Sequence, residues 1–311
     1  MGLDKPEICV VGSFAVGMTI RAPHFPVAGE TLRGTDFDMG PGGKGSNQAV
    51  ATARLGAASH LVAKIGKDLF AEIAVDLYRR EGVGTEFLYR STECATGVGF
   101  ITLNAAGENH IVLDMGANEL LAPADVDQAE SLLATSRVVM TVLEIRQDSA
   151  ARAMELGRRH GAITIMNPAP AEKLDPAVFS FVDVLTPNES ELRILSGLPP
   201  DDPADTIQLA QALRHQGVKN IVITRGSRGA LVVDSSGRVE TIDSIPVEVV
   251  DTTGAGDAFN SALAVSLAEG KSLGDAVRFA MYAGAMACTR LGVIPSLPYR
   301  AEIDQFIART G

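Results

Sequence analysis

The residue best placed to do chemistry is a carboxylate just behind a pair of glycines. It is Asp257, in Asp251-Thr252-Thr253-Gly254-Ala255-Gly256-Asp257-Ala258-Phe259. Residues 247–250 before it alternate and branch like a strand, and residues 258–267 after it form an apolar helical run. A glycine-rich turn that opens a helix leaves backbone N–H groups unpaired and partly positive, a setting for phosphate. A carboxylate there repels phosphate unless it serves the other reactant. As a general base it takes the proton from the hydroxyl that attacks phosphorus. The other reading is a helix cap, with Asp257 satisfying backbone donors.

A second stretch, Gly40-Pro41-Gly42-Gly43-Lys44-Gly45-Ser46-Asn47-Gln48, lies between a strand pattern and a helix pattern. Its glycines permit close backbone approach to a ligand. It is not a Walker A loop, because Gly45 follows Lys44 where Ser or Thr is required. Lys44 and Asn47 suit contacts to a substrate's hydroxyls; alternatively Ser46 or Asn47 caps the helix. In Thr186-Pro187-Asn188-Glu189-Ser190-Glu191, Asn188 is a candidate cap. With Glu191 it also suits Mg²⁺, which prefers oxygen ligands and keeps waters. Thr224-Arg225-Gly226-Ser227-Arg228-Gly229 ends another strand, where parallel α/β sheets bind nucleotides, although its composition also fits a plain turn. Glu144 and Asn167-Pro168-Ala169-Pro170 fall at strand ends too.

The elements that must position these groups alternate. Strand patterns cover residues 8–11, 59–64, 137–142, 163–166, 182–185 and 220–224. Helical patterns cover 45–55, 68–81, 147–160, 188–196 and 204–216. That order predicts a mainly parallel sheet covered on both faces. Residues 31–39 and 97–113 interrupt it as strands without intervening helices. The second region divides into 97–103 and 109–113 around Asn104-Ala105-Ala106-Gly107-Glu108, a hairpin connection. A small β layer beside the main sheet is expected, as a lid or as an edge extension. No linker of domain-boundary length interrupts the 311 residues, and 46% hydrophobic content suffices for a large core. A net charge of −11 argues against nucleic acid or an anionic membrane as partner. Cys9, Cys94 and Cys288 show no metal-ligand spacing and are expected to be small buried hydrophobes in a reducing compartment. Acidic Asp4 and Glu7 at the start do not suit a signal peptide, and no run approaches membrane-spanning length, so a cytoplasmic location is expected.

Taken together and in order, these motifs resemble the ribokinase-like (PfkB-type) carbohydrate kinases, in the ribokinase branch. Residues 42–47 and 251–257 match the two family signatures, and Pro26-Val27-Ala28-Gly29-Glu30-Thr31 adds a further match. The resemblance runs from Gly12 to Pro298. It implies one kinase domain over residues 1–311: a Rossmann-like three-layer α/β sandwich with a small β-sheet lid, the lid strands at about 15–39 and 95–113. It implies transfer of the γ-phosphate of ATP to a hydroxyl of a pentose or related sugar. Asp257 would be the base, and the amides of Gly254, Ala255 and Gly256 the anion hole. Gly43, Lys44, Asn47 and Glu144 would hold the sugar. Asn188, Thr224, Gly226, Ser227, Gly229 and Gly256 would hold ATP, and Glu191 would support Mg²⁺. Asp251, Thr253, Ala287, Arg290, Gly292 and Ser296 would surround a monovalent cation such as K⁺. Homodimers through the lid are implied as well.

One stretch departs from the family. Where ribokinases carry Asn and Asp on the sugar hydroxyls, this chain has Ala15 and Gly17. A buried carboxylate–hydroxyl bond discriminates strongly, so its loss removes the usual preference for ribose. A different sugar or polyol is expected, larger or differently substituted. Fructokinase, sugar-acid kinase and nucleoside kinase branches remain open, as does a non-catalytic regulator on the same scaffold.

Overall fold

The computed structural model describes residues 5–106 and 108–310; Asp4 and Gly107 lie outside them. The chain starts with β1 (Glu7–Val11), then leaves for β2 (Ala15–Arg21) and β3 (Thr35–Gly42). Helix α1 (Lys44–Arg54) leads to β4 (Ala58–Ile65), α2 (Leu69–Glu81) and β5 (Leu88–Arg90). A second excursion makes β6 (Gly97–Leu103) and β7 (Asn109–Asp114). Next come α3 (Pro123–Gln128), α4 (Glu130–Thr135), β8 (Val138–Val142), α5 (Gln147–Arg159), β9 (Ile163–Asn167) and β10 (Val184–Leu185). They are followed by α6 (Glu189–Leu195), α7 (Thr206–His215), β11 (Asn220–Thr224), β12 (Ala230–Val233) and β13 (Val239–Ile242). Helices α8 (Ala255–Ala268), α9 (Leu273–Ala287), α10 (Val293–Ser296) and α11 (Arg300–Thr310) complete the described elements.

A nine-stranded sheet runs β13-β12-β11-β10-β9-β8-β1-β4-β5, and a separate four-stranded sheet runs β3-β2-β6-β7. The large sheet is parallel except for β12 and β13, which add antiparallel pairs at one edge. Alternation along buried strands builds the layers. In β1, Ile8 and Val10 join the core formed with α1, α2, α8 and α9; Cys9 and Val11 join the core formed with α3 to α7. The architecture is therefore the expected three-layer α/β sandwich with a mainly parallel sheet and a small second sheet. Among the described residues, no helix is long and apolar enough to cross a membrane.

Three local expectations differ. Residues 247–250 form no strand. Val249 and Val250 are 60% and 59% exposed, and the amides of Val250 and Asp251 donate to the Cys288 carbonyl at the end of α9 (2.8 and 3.2 Å). Branched residues make this stretch extended, but its neighbour is a helix end and not a sheet edge. Strand β3 starts at Thr35 and continues through Gly42, which pairs with Ala15 of β2, so Gly40-Pro41-Gly42 is strand and not turn. Its edge position tolerates Pro41, whose missing N–H breaks no interior ladder. Cys94 is exposed in the connection before β6, whereas Cys9 is buried and Cys288 is half-buried.

Candidate active site

Asp257 is not a helix cap. The N-cap of α8 is Gly254, left-handed at φ 83°, with no side-chain cap bond. Asp257 sits three residues in, 5% exposed, and its carboxylate faces α1. Oδ2 accepts from Asn47 Nδ2 (2.8 Å), and Oδ1 accepts from Gln48 Nε2 (3.1 Å). Neither Ser46 nor Asn47 caps α1; Gly43 is the N-cap, at φ 88°. Both amide side chains are thus directed at the carboxylate. Asn47 Oδ1 and Gln48 Oε1 have no protein partner among the described residues, leaving acceptors for a hydroxyl.

The bonds continue into a closed circuit. Gln48 Nε2 also donates to Asn167 Oδ1 (3.2 Å), and Asn167 Nδ2 donates to the Thr186 carbonyl (3.2 Å). Thr186 Oγ1 donates to Asn260 Oδ1 (2.6 Å), whose Nδ2 donates to the Gly256 carbonyl (2.8 Å). The circuit ties the ends of β9 and β10 to α1 and to the first turn of α8. Gln48 and Asn167 were not assigned roles from sequence; their signal was their place inside motifs at a helix start and a strand end.

A second carboxylate anchors the start of α1. Glu144 Oε2 accepts from Ser13 Oγ (2.6 Å) and from the Lys44 backbone N–H (2.7 Å). Ser13, also unassigned from sequence, follows β1 as Glu144 follows β8. Burial pushes the carboxyls of Asp257, Glu144 and Glu191 above the ordinary range. For Asp257 the Lys44 charge and the Asn47 and Gln48 bonds oppose that rise without cancelling it. Burial alone would lower the Lys44 ammonium, but Asp257, Glu144 and Glu191 outweigh it and hold Lys44 above its usual value. One lysine therefore stands in the field of three carboxylates, which hold it charged.

The amides of the α8 turn divide. Ala255 N–H donates to the Thr252 carbonyl (3.2 Å), whereas the amides of Gly254 and Gly256 have no acceptor among the described residues. Free N–H groups at a helix start are anion donors.

Further along the rim, Asn188 caps α6 in a reciprocal box. Its side chain accepts from Glu191 N–H (2.8 Å), and Glu191 Oε2 accepts from Asn188 N–H (2.8 Å). The cap reading of Asn188 is therefore realised, and Glu191 Oε1 keeps no protein donor among the described residues. Asn188 bridges to Thr224 at the end of β11, which leads into the turn Gly226–Arg228 containing Ser227. Gly229 then has φ 78°, and a Cβ there would lie 2.0 Å from the Ile242 carbonyl, so the turn packs directly against β13.

The proposed cation residues come from two facing loops. Asp251 Oδ1 accepts from Thr253 N–H and Oγ1 (2.9 and 2.7 Å), and Oδ2 accepts from Gly292 N–H (3.0 Å). Burial opposes, but these bonds hold the Asp251 carboxyl below its ordinary range. A Cβ on Gly254 would lie 3.7 Å from Ser296 Oγ, so this loop abuts the α8 turn. Ala287 ends α9, whereas the Arg290 side chain turns to Glu302 (2.5 Å). Among the described residues, no three His, Cys, Asp or Glu side chains gather as a metal cluster.

Residues 5–300 match the pfkB family of carbohydrate kinases. The Bacillus subtilis ribokinase is 38% identical over 97% of this chain and 99% of its own length. A Salmonella typhi deoxyribokinase is 33% identical over the same shares. The structure of Arabidopsis thaliana ribokinase complexed with ribose and ATP is similar at TM-score 0.90 and 28% identity, covering 97% of this chain and 99% of that one. With the two signature motifs meeting at Asp257 and the match spanning nearly the whole chain, this protein belongs to the pfkB family of carbohydrate kinases.

Proposed function

We propose that this ribokinase-like sugar kinase transfers the γ-phosphoryl group of ATP to a hydroxyl of a pentose-based acceptor, with Asp257 as general base. The observation that carries the reading is the Asp257 carboxylate held by two α1 amides, away from the helix end it would otherwise cap. Lys44, Asn47 and Glu144, with Gly43 at the turn, hold the acceptor beside it. The free amides of Gly254 and Gly256 receive the transferring group, where donors of this kind contribute about 3–4 kcal/mol each. Ala255 contributes by shaping the turn. Asn188, Thr224, Gly226, Ser227 and Gly229 line the nucleotide end at the ends of β10 and β11.

Glu191 fits Mg²⁺ through its unengaged oxygen, directly or through water, beside Lys44. Neutralising the phosphate oxygens is the chemistry that ion supplies. The oxygen-rich set of Asp251, the carbonyls of Thr253, Ala287, Arg290 and Gly292, and Ser296 carries a single negative charge, which fits a monovalent cation such as K⁺. Residues 1–311 act as one unit, with the β3-β2-β6-β7 sheet as lid.

The lid also supports a homodimer. Met39, Met18, Phe100 and Val112 form one cross-strand row, and Met39, Phe100 and Val112 are 44%, 54% and 60% exposed. A continuous apolar row on a small sheet is a surface that association covers.

The test is ADP formation from MgATP across a panel of sugars, with and without K⁺. Acceptor-dependent ADP supports the reading; ATP binding without turnover of any acceptor points to a regulator.

A further inference from the structure

The opposite face of the four-stranded sheet has a floor almost without side chains. Along β2, Val16 belongs to the core and Met18 packs against it, so Ala15, Gly17 and Thr19 take the other face. In the ladder, Gly17 lies opposite Gly40 of β3 and Gly99 of β6. One row nearer the catalytic cluster, Ala15 lies opposite Gly42 and Gly97. Gly42 is two residues from Lys44, whose amide holds Glu144. The floor therefore begins at the acceptor site and leads away from it.

Neither backbone nor crowding demands glycine over most of this floor. Gly17, Gly40, Gly42 and Gly99 are not among the positive-φ glycines. A Cβ on Gly17 would make only ordinary contacts, 3.8 Å to Ile101 Cδ1 and 3.9 Å to the Gly40 carbonyl. A Cβ on Gly40 would meet nothing within 4 Å, and one on Gly42 only the Ala15 carbonyl at 3.6 Å. Gly97 and Gly99 differ: a Cβ on Gly97 would sit 2.6 Å from Asn118 Nδ2, and one on Gly99 3.1 Å from Leu113 Cδ2. Packing therefore explains Gly97, and Leu113 borders the floor at Gly99; the open positions are Gly17, Gly40 and Gly42. Glycine inside a strand weakens it and marks close approach by another group. Three such residues with space above them make a platform, and no other part of this chain fills it among the described residues.

The surroundings define what fits. Successive rows are about 7 Å apart at the usual strand rise. The row beyond Gly17 pairs Thr19 with Asp38, the first hydroxyl and carboxylate along the face. On the β6–β7 side the same face carries Ile101, Ile111 and Leu113. We infer that the acceptor is a sugar carrying a flat ring, as in a nucleoside, whose apolar face lies on the Gly17–Gly40 floor and whose polar edge reaches Thr19 and Asp38. The inference rests on the kinase reading proposed above and names its substrate class.

The test compares free D-ribose with a panel of ribonucleosides, by MgATP-dependent phosphorylation and by calorimetric binding without nucleotide. The expected result is kcat/KM and affinity for at least one nucleoside about tenfold or more above ribose, the scale that a filled pocket supplies. Gly17→Val and Gly40→Leu, which obstruct the floor from different strands without adding a sugar-binding carboxylate, are expected to remove that advantage while ribose binding persists. Melting temperatures check that both variants are folded. Ribose bound and phosphorylated better than every nucleoside overturns the inference and leaves the kinase reading intact. Nucleoside binding with no phosphorylation of any acceptor overturns the kinase reading and supports the floor. Nucleoside preference unchanged in both variants overturns the floor as its cause.

Discussion

As the proposed base, Asp257 combines two demands that pull against each other. Burial raises its pKa, which strengthens the base but disfavours the charged form the base needs. Because the folded value lies above the unfolded one, its stability contribution is full below the unfolded value of 3.8 and is lost as pH rises through the folded value. Asp257→Asn is therefore expected to lower kcat by about 10²–10⁴. Its melting temperature at neutral pH is expected to equal or exceed that of the unaltered protein, as calorimetry would read. The acid limb of kcat/KM is expected above the ordinary Asp range. Asn47→Ala removes a bond that lowers the Asp257 pKa, so that limb moves to still higher pH; a limb that stays put would remove Asp257 from the role. Asp257, Lys44 and Glu144 were legible because charge at a strand end or helix start is a strong local signal. Ser13, Gln48 and Asn167 were not assigned, since their meaning lies in partners at sequence separations from 119 to 209 residues.

Helix α1 must hold Asn47 and Gln48 in register with α8, and its far end is clamped. Arg54 donates from Nε and Nη2 to both oxygens of Glu81 at the end of α2 (2.8 and 2.7 Å). Its Nη1 donates to the carbonyls of Ile294 and Leu297 (2.7 and 2.8 Å). Both charged side chains are largely enclosed, at 8% and 13% exposure. Arg54→Ala would leave Glu81 buried and two carbonyls unpaired, so a loss of about 3–5 kcal/mol is expected by urea denaturation. A loss under about 1 kcal/mol would class the pair with ordinary surface bridges. The helices and parallel strands followed visible periodicity, and their boundaries hold within a few residues. Residues 247–250 failed because branched alternation favours extended backbone without saying what lies alongside it. The continuation of β3 through Gly40-Pro41-Gly42 failed for the opposite reason: turn-forming residues were carried by pairing with β2.

At the scale of the molecule, the two sheets divide the labour of this carbohydrate kinase. The large sheet delivers Glu144, Asn167, Asn188 and Thr224 to one rim, because its strands from β4 to β11 are parallel. The small sheet presents one apolar face and, on the other, a glycine floor bordered by Ile101, Ile111 and Leu113. Charge on the apolar face tests the proposed homodimer: Phe100→Asp is expected to give a monomer by sedimentation velocity, with its fold retained by circular dichroism. Sedimentation of the unaltered protein as a monomer would remove the homodimer. The rim was legible from sequence, since Glu144, Asn167, Asn188 and Thr224 each lie at or just past the end of a strand. The glycine face was not, because Gly17, Gly40 and Gly99 come from three strands and become neighbours only through register.

The enclosure of Asp257 bears on idle hydrolysis. A base that stands in open solvent next to bound ATP can activate water, and nucleotide is then lost without product. Asp257 is reached by little solvent, and both its oxygens are engaged by α1 amides until an acceptor hydroxyl competes for them. On the proposed role of Asp257, the acceptor would supply part of the trigger for its own phosphorylation, and ATP hydrolysis without acceptor is expected to be slow.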